Sequence, residues 1–233
     1  MRKMNAILAF DEVNGILSAQ AGCILEDMNN YVLERGYDMP YNIGSRGSCM
    51  LGGNLATNCG GSSAIRYKSL RSNTVGLEAV LADGTILRDM STMRKDNSGY
   101  DLKQLMIGSE GTLGLITAAA LKCPVRPGEK QLALIAVDSF PKCVEMLKRA
   151  KKHFRDSLSA FEVMDKNSQT ITFRAFPEMP AKYPFDREHA FAVLIEVEAL
   201  GEHDEHKSMA EEQLLTFFEQ NSEIIEDGVI AQD

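Results

Sequence analysis

The sequence predicts an α+β protein in two parts, and three observations carry that expectation. Short apolar runs of strand length, joined by turn signals, fill the first part. Pro124, Pro127 and Gly128 then mark a break. Beyond the break, strand and helix patterns alternate as β-α-β, β-α-β. The predicted parts are residues 1–125 and 129–233.

Taken in order, NAILAF and GILSAQ are two short β-type runs around a turn from Asp11 to Gly15, which reads as a hairpin. Ile24, Met28, Tyr31 and Val32 recur at helical spacing, with Gly36 placed to end the helix and Pro40 blocking its continuation. The segment from Gly44 to Gly61 follows as a glycine-rich loop. Thr74 to Asp89 sets Asp83 and Gly84 between two apolar runs, a strong hairpin signal. DLKQLMIG reads as a short helix capped by Asp101, and GLITAAALK, Gly114 to Lys122, as the next strand.

After the break come the strand LALIAV and a helix opened by Ser139 and Pro141, with Val144, Leu147 and Phe154 predicted on its inward face. A strand near Leu158 to Val163 closes that unit. FAVLIEVEA, a helix with Ala210, Leu214 and Phe217 inward, and IIEDGVI repeat the pattern. This order is that of a ferredoxin-like α+β module.

The functional signal lies in two glycine-rich segments, GSRGSCMLGGNLATNCGG from Gly44 to Gly61 and GYDLKQLMIGSEGTLG from Gly99 to Gly114. Chain so poor in bulky side chains lets main-chain NH groups approach a ligand, and glycine permits the positive-φ conformations that turn those groups inward. Neither segment has the spacing of the G-x-G-x-x-G dinucleotide fingerprint or of a P-loop. Asn54, Thr57 and Asn58 add amides and a hydroxyl suited to a ligand rich in acceptors, such as a flavin and its phosphates. The same residues also build self-bonded Asx turns, and Ser109 to Thr112 also suits a tight turn whose Glu110 caps a neighbour.

Composition narrows the partners. With 233 residues, 44% of them hydrophobic, a net charge of −8 and a pI near 5.1, the chain is globular and has no basic footprint for nucleic acid or an anionic membrane. Five cysteines without a CxxC pair fit a reducing compartment and read as buried small apolar residues. No run approaches the roughly 18 apolar residues of a membrane helix. No targeting segment is visible at the start, and both ends read as cut from something longer.

The remaining polar clusters read mostly as surface. His203 and His206, among Glu202, Asp204 and Glu205, carry metal-ligand types but sit where acidic residues favour a helix start. His153 and His189 have no recognisable triad partner. Arg66, Tyr67 and Lys68 supply the nearest positive charge to the first glycine-rich segment, although most such clusters are merely surface charge, and the run from Arg94 to Asn97 has the same two readings.

GGNLATNCGG, RYKSL, VGLEAVLADGTIL and RKDNSGYDLKQLMIGSEGTLGLIT closely resemble the FAD-dependent D-2-hydroxyacid dehydrogenases of the vanillyl-alcohol oxidase/p-cresol methylhydroxylase (PCMH) superfamily. The likeness is specific from about Gly15 through Gly128 and looser through SAFEVMD and FAVLIEVEA. It implies the second half of a PCMH-type FAD-binding domain in residues 1–125, followed in residues 129–233 by part of a ferredoxin-like substrate-capping domain. It also implies FAD contacts at Gly52, Gly53, Asn54, Thr57, Asn58, Gly60, Gly61, Glu110, Gly111 and Ile116.

By the same resemblance, the RKDN and DLKQL details imply oxidation of D-2-hydroxyglutarate to 2-oxoglutarate by hydride transfer to FAD. D-lactate or glycolate dehydrogenation is the alternative within the class, and a non-catalytic flavin-binding or interaction module lies outside it. Implied partners are a small 2-hydroxyacid, an electron-acceptor flavoprotein and a second copy of the chain, in a mitochondrial setting, with no nucleic acid or membrane. The family's PxGGNTG loop, its HxGDGNxH metal motif for a divalent zinc, its EHG motif and its substrate arginine are not in these residues. The expectation is therefore that this chain alone is inactive. One departure falls inside the match, where Lys68 stands at the glycine of the family's RYGS pattern.

Overall fold

The computed structural model describes residues 1–179, 183–198 and 207–231. It divides into two compact units, Met1–Arg126 and Pro127–Asp233.

In the first unit, β1 (Ile7–Asp11) and β2 (Ile16–Gln20) form the hairpin expected from sequence. Its turn is an Asx turn, since the Asp11 carboxylate accepts from the Val13 and Asn14 amides, each at 3.0 Å. Gly15 follows at φ +61°, where a Cβ would come within 2.6 Å of the Cys123 carbonyl oxygen. Then come α1 (Leu25–Leu33), α2 (Leu51–Ala56), α3 (Ala64–Tyr67) and α4 (Leu70–Asn73). β3 (Thr74–Leu81) and β4 (Ile86–Asp89) form the Asp83–Gly84 hairpin, with Gly84 at φ +87°. The short α5 (Lys103–Met106) precedes β5 (Gly114–Lys122).

The five strands run in the order β1-β2-β5-β3-β4 with every neighbour antiparallel. Ala118, Ala119 and Ala120 on β5 are all buried, so the central strand carries small side chains that let neighbours pack closely. Met28 and Val32 of α1, Leu51 and Leu55 of α2, and Leu70 of α4 join Leu17, Leu77 and Leu121 in one core cluster. Each such side chain contributes about 1.5–3 kcal/mol by leaving water.

The second unit contains β6 (Lys130–Val137), α6 (Phe140–Phe154), β7 (Leu158–Asp165), α7 (Lys166–Ala175), β8 (Phe191–Glu198), α8 (Lys207–Gln220) and β9 (Asp227–Ile230). Strand order is β7-β8-β6-β9, again antiparallel throughout. With β6 beside the third and fourth strands of the unit, this is the ferredoxin-like arrangement. Helices α6 and α8 both pack on the sheet, and their Phe154 and Phe217 rings meet at 4.9 Å. Ala210, Leu214 and Phe217 of α8 point inward as expected.

Several expectations are corrected. The Gly44–Gly61 segment is not a loop throughout, because α2 forms inside it. Leu51 and Leu55, one helical turn apart, are both fully buried, and that packing overrides the poor helix propensity of Gly52 and Gly53. None of its glycines has positive φ; in that segment only Asn58 does, at +48°. Asp101 does not cap α5, whose N-cap position is Leu102; its carboxylate instead pairs with Lys103 at 2.7 Å and accepts from Gln104 at 3.1 Å.

On α6 the inward stripe is Cys143, Met146, Ala150 and Phe154. Val144 is 53% exposed, because the helix is turned about one residue from the expected phase. Helix α7 was not foreseen; Asp165 caps it by accepting from the Ser168 amide at 2.7 Å. The cysteines form no disulfide; Cys23, Cys123 and Cys143 are buried, whereas Cys49 and Cys59 are only partly so.

Candidate flavin site

The first glycine-rich segment is pinned to the sheet at the start of α2. The Leu51 amide donates to the Cys23 carbonyl at 3.0 Å and the Gly52 amide to Ala21 at 2.8 Å. A Cβ on Gly52 would meet the Ala21 Cβ at 2.8 Å and the Ile116 carbonyl at 3.5 Å. This glycine therefore serves the close approach of α2 to the sheet. Ile116, buried on β5, lies beneath it.

Gly53, the next residue, differs. It is exposed, and a Cβ there would meet nothing within 4 Å. Glycine inside a helix costs about 1 kcal/mol relative to alanine. No neighbour in the fold requires that cost at Gly53, so the position leaves bare main chain open to a ligand.

The polar side chains expected to face the ligand are turned to the protein. Asn54 is 6% exposed and its amide donates to the Tyr41 hydroxyl at 3.0 Å and to the Cys49 sulfur at 3.3 Å. Burial raises the Tyr41 hydroxyl well above the ordinary tyrosine range, against the opposing effect of the Asn54 bond, so it stays a neutral partner. Thr57 bonds back to the Gly53 carbonyl at 3.1 Å. The Asn58 side-chain Oδ1 accepts from the Arg71 amide at 2.9 Å. Gly60 is partly exposed, with ordinary contact to Ala64, while Gly61 presses against the Asn42 main chain.

The structure brings the two glycine-rich segments together at the C-terminal end of α2. The Gly108 amide donates to the Leu55 carbonyl at 3.0 Å and the Glu110 amide to Ala56 at 2.9 Å. Glu110 thus closes α2 with its backbone, not its carboxylate, and its own side chain is exposed. The turn needs unusual chain, with Gly108 at φ +82°, Glu110 at +51° and Gly111 at +78°. Gly111 is exposed with nothing near a Cβ, the second open stretch of main chain.

Arg71 on α4, which sequence reasoning missed, ties the two segments. Its guanidinium donates to the Gln104 carbonyl at 2.6 Å, to the Gln104 side chain at 3.2 Å and to the Ile107 carbonyl. The RSN run gave no local signal for this, since the partners lie more than 30 residues away. Lys68, just before α4, has φ +63° and ψ −164°. That region belongs almost wholly to glycine and costs another residue about 1–3 kcal/mol.

Other polar candidates sort differently. A cavity of about 410 Å³ lies at residues 2–7, 22–28 and 47–50, its polar lining being Arg2, Asn5, Asp27 and Ser48, and none of the expected flavin contacts borders it. His189 is buried, and its Nδ1 lies 2.8 Å from Glu226. His203 and His206 lie outside the described residues. Among the described residues no group of three or more His, Cys, Asp or Glu could hold a metal ion, and no helix is long and apolar enough to cross a membrane.

The residues present fit a flavin nucleotide through main chain more than through side chains, because Gly53 and Gly111 are open while Asn54, Thr57 and Asn58 are already bonded. Comparison with known proteins agrees with the cofactor. Residues 1–89 match the family described as FAD binding domain, and residues 126–233 match FAD linked oxidases, C-terminal domain. A putative mitochondrial D-lactate dehydrogenase of Schizosaccharomyces pombe is 44% identical over 99% of this chain, which covers 43% of that protein. Mitochondrial D-2-hydroxyglutarate dehydrogenase of Bos taurus is 43% identical over 99% of the chain, covering 41% of its length.

Among solved structures, an alkyldihydroxyacetonephosphate synthase superposes with a TM-score of 0.74 at 23% identity, over 96% of this chain and 41% of that one, which shows a shared fold. Fold and domain order define a flavin-binding α+β protein. Residues 1–89 and residues 126–233 thus match two domain families that are both linked to FAD. The chain spans about two fifths of the length of the curated relatives it matches.

Proposed function

We propose that this chain works within an FAD-linked dehydrogenase that oxidises D-2-hydroxyglutarate to 2-oxoglutarate in mitochondria. The observation that carries the reading is the pair of FAD-linked domain matches in one chain, with 43% identity to relatives named for that activity. The 44% identical relative named as a putative D-lactate dehydrogenase keeps D-lactate as the second reading.

In this reading residues 1–125 are the second half of the flavin-binding domain and residues 129–233 are part of the cap over the substrate. The cofactor contacts are Gly52, Gly53, Asn54, Thr57, Asn58, Gly60, Gly61, Glu110, Gly111 and Ile116, in two roles. Gly53 and Gly111 offer main chain directly, supported by their exposure and open surroundings. Gly52, Asn54, Thr57, Asn58, Gly60, Gly61, Glu110 and Ile116 hold that main chain in place through the packing and hydrogen bonds described above. When bound, FAD supplies the acceptor for the hydride leaving the substrate's hydroxyl-bearing carbon. We assign no catalytic base to these residues, so the chain by itself binds the cofactor without turning over substrate. An electron-acceptor flavoprotein and a second copy of the chain complete the proposed partners.

Equilibrium dialysis of the purified chain with FAD tests the first half of this reading, and dye reduction with D-2-hydroxyglutarate or D-lactate tests the second. FAD retained without turnover is the expected result. Absence of FAD binding removes the site, and turnover of either acid shows that these residues carry catalytic groups after all.

A further inference from the structure

The most demanding backbone position beside the candidate site is filled by a lysine. Lys68 has φ +63° and ψ −164°, whereas the other sharp positions of the site use Gly108, Gly111 or the tolerant Asn58, with Glu110 in a milder turn. Its backbone is held on both sides. The Lys68 amide donates to the Ala64 carbonyl at 2.9 Å, and the Asn73 side chain bonds the flanking Tyr67 and Ser69 carbonyls. Leu70 then bonds to the Cys59 carbonyl at 3.2 Å and Arg71 to the Asn58 side chain. These bonds set Lys68 directly against residues 58–64, which include Asn58, Gly60 and Gly61. Its side chain is exposed and makes no ion pair among the described residues.

Glycine would meet the backbone requirement without strain, so nothing in the packing accounts for a lysine here. What lysine adds is a mobile ammonium with three donors. We infer that Lys68 binds an anionic oxygen cluster, a phosphate or a carboxylate, at the edge of the segment from Asn58 to Ala64. The inference rests on the flavin reading for the source of that anion. A phosphate source is the pyrophosphate of the cofactor; a carboxylate source is the 2-hydroxyacid.

Three variants of the full chain separate charge from strain. Lys68→Gly removes both, Lys68→Ala removes charge and keeps the strain, and Lys68→Arg keeps both. Without ligand, Lys68→Gly melts about 3 °C higher than the parent, as a relieved backbone should. FAD dissociation constants from equilibrium dialysis are expected to rise about tenfold in the Gly and Ala variants and to stay within about twofold in the Arg variant. Inorganic pyrophosphate and D-2-hydroxyglutarate, each added alone in a melting experiment, identify the source. Stabilisation by one of them that vanishes in both the Gly and Ala variants supports the inference and names the group.

Lys68→Gly and Lys68→Ala binding FAD and both anions as the parent does would overturn it while leaving the flavin site intact. A parent that binds no FAD but is stabilised by pyrophosphate through Lys68 overturns the flavin reading and keeps the anion contact. A parent that answers to none of the three ligands overturns both.

Discussion

The two glycine-rich segments of the first unit use one residue type for two physical purposes. In residues 44–61 every glycine has an ordinary φ, and the constrained ones, Gly52 and Gly61, are places where Ala21 and the Asn42 main chain respectively come too near for a side chain. In residues 99–114 the constraint is mostly handedness, since Gly99, Gly108 and Gly111 all lie at φ between +70° and +82°, and only Gly114 is crowded by backbone, with a Cβ 2.5 Å from the Val80 carbonyl. The first segment is therefore a docked helix and the second a turn wound against that helix's end. Each leaves two glycines with free space around them, Gly44 and Gly53 in the first and Gly99 and Gly111 in the second; of these, Gly53 lies within α2 and Gly111 follows directly on the residue bonded to its end.

The largest expected effect tests close approach. Gly61→Ala places a methyl group into the Asn42 main chain, which has no rotamer to change. The expected loss is about 3 kcal/mol in urea unfolding, at the upper end of ordinary overpacking. A loss below half of that would mean that residues 42 and 61 separate easily, and the first segment would then be the flexible loop its composition suggested.

Next is the tie between the segments. Arg71→Ala deletes three hydrogen bonds from a charged donor to residues 104–107. A destabilisation of about 2 kcal/mol is expected, together with faster proteolysis between residues 99 and 112. Unchanged cleavage there would show that the bonds of Gly108 and Glu110 to α2 hold the second segment unaided.

How far each segment was legible follows the range of the forces involved. Strand β5, the Asp83–Gly84 hairpin and the ferredoxin-like order all rest on local periodicity and turn chemistry, and all were readable. Helix α2 was not, because its Gly-Gly pair argues against a helix and only the burial of Leu51 and Leu55 argues for one. The phase of α6 slipped because Val144 and Leu147 are as apolar as Cys143 and Met146, and only the sheet decides between them. In the site, the glycines announced an open backbone. The Asn54–Tyr41 bond and the reach of Arg71 stayed invisible, being contacts across 13 to 36 residues.

Handedness gives a smaller effect with its own signature. Gly111→Ala meets no atom, so its cost is only that of an L-residue at φ +78°, about 1 kcal/mol. Asparagine tolerates positive φ best among the other residues, so Gly111→Asn is expected to recover about half of that loss. In the first segment the order reverses, and Gly52→Asn is worse than Gly52→Ala because a larger side chain meets the same Ala21 contact. Equal ranking at the two positions would erase the distinction between handedness and close approach.

The smallest change in stability is at Gly53, where it has the opposite sign. An alanine there meets nothing and gains helix propensity, so Gly53→Ala is expected to stabilise the free chain by up to about 1 kcal/mol. The same methyl group stands where the open main chain would meet the cofactor, so FAD should bind several-fold more weakly. Urea unfolding and dialysis on one preparation read both effects. A variant that gains stability and binds FAD unchanged would move the contact surface away from α2 and leave Gly111 as the open main chain that a flavin reaches. A gain in stability with a loss of binding would mean that the helix carries a less stable residue at Gly53 because the ligand needs the space.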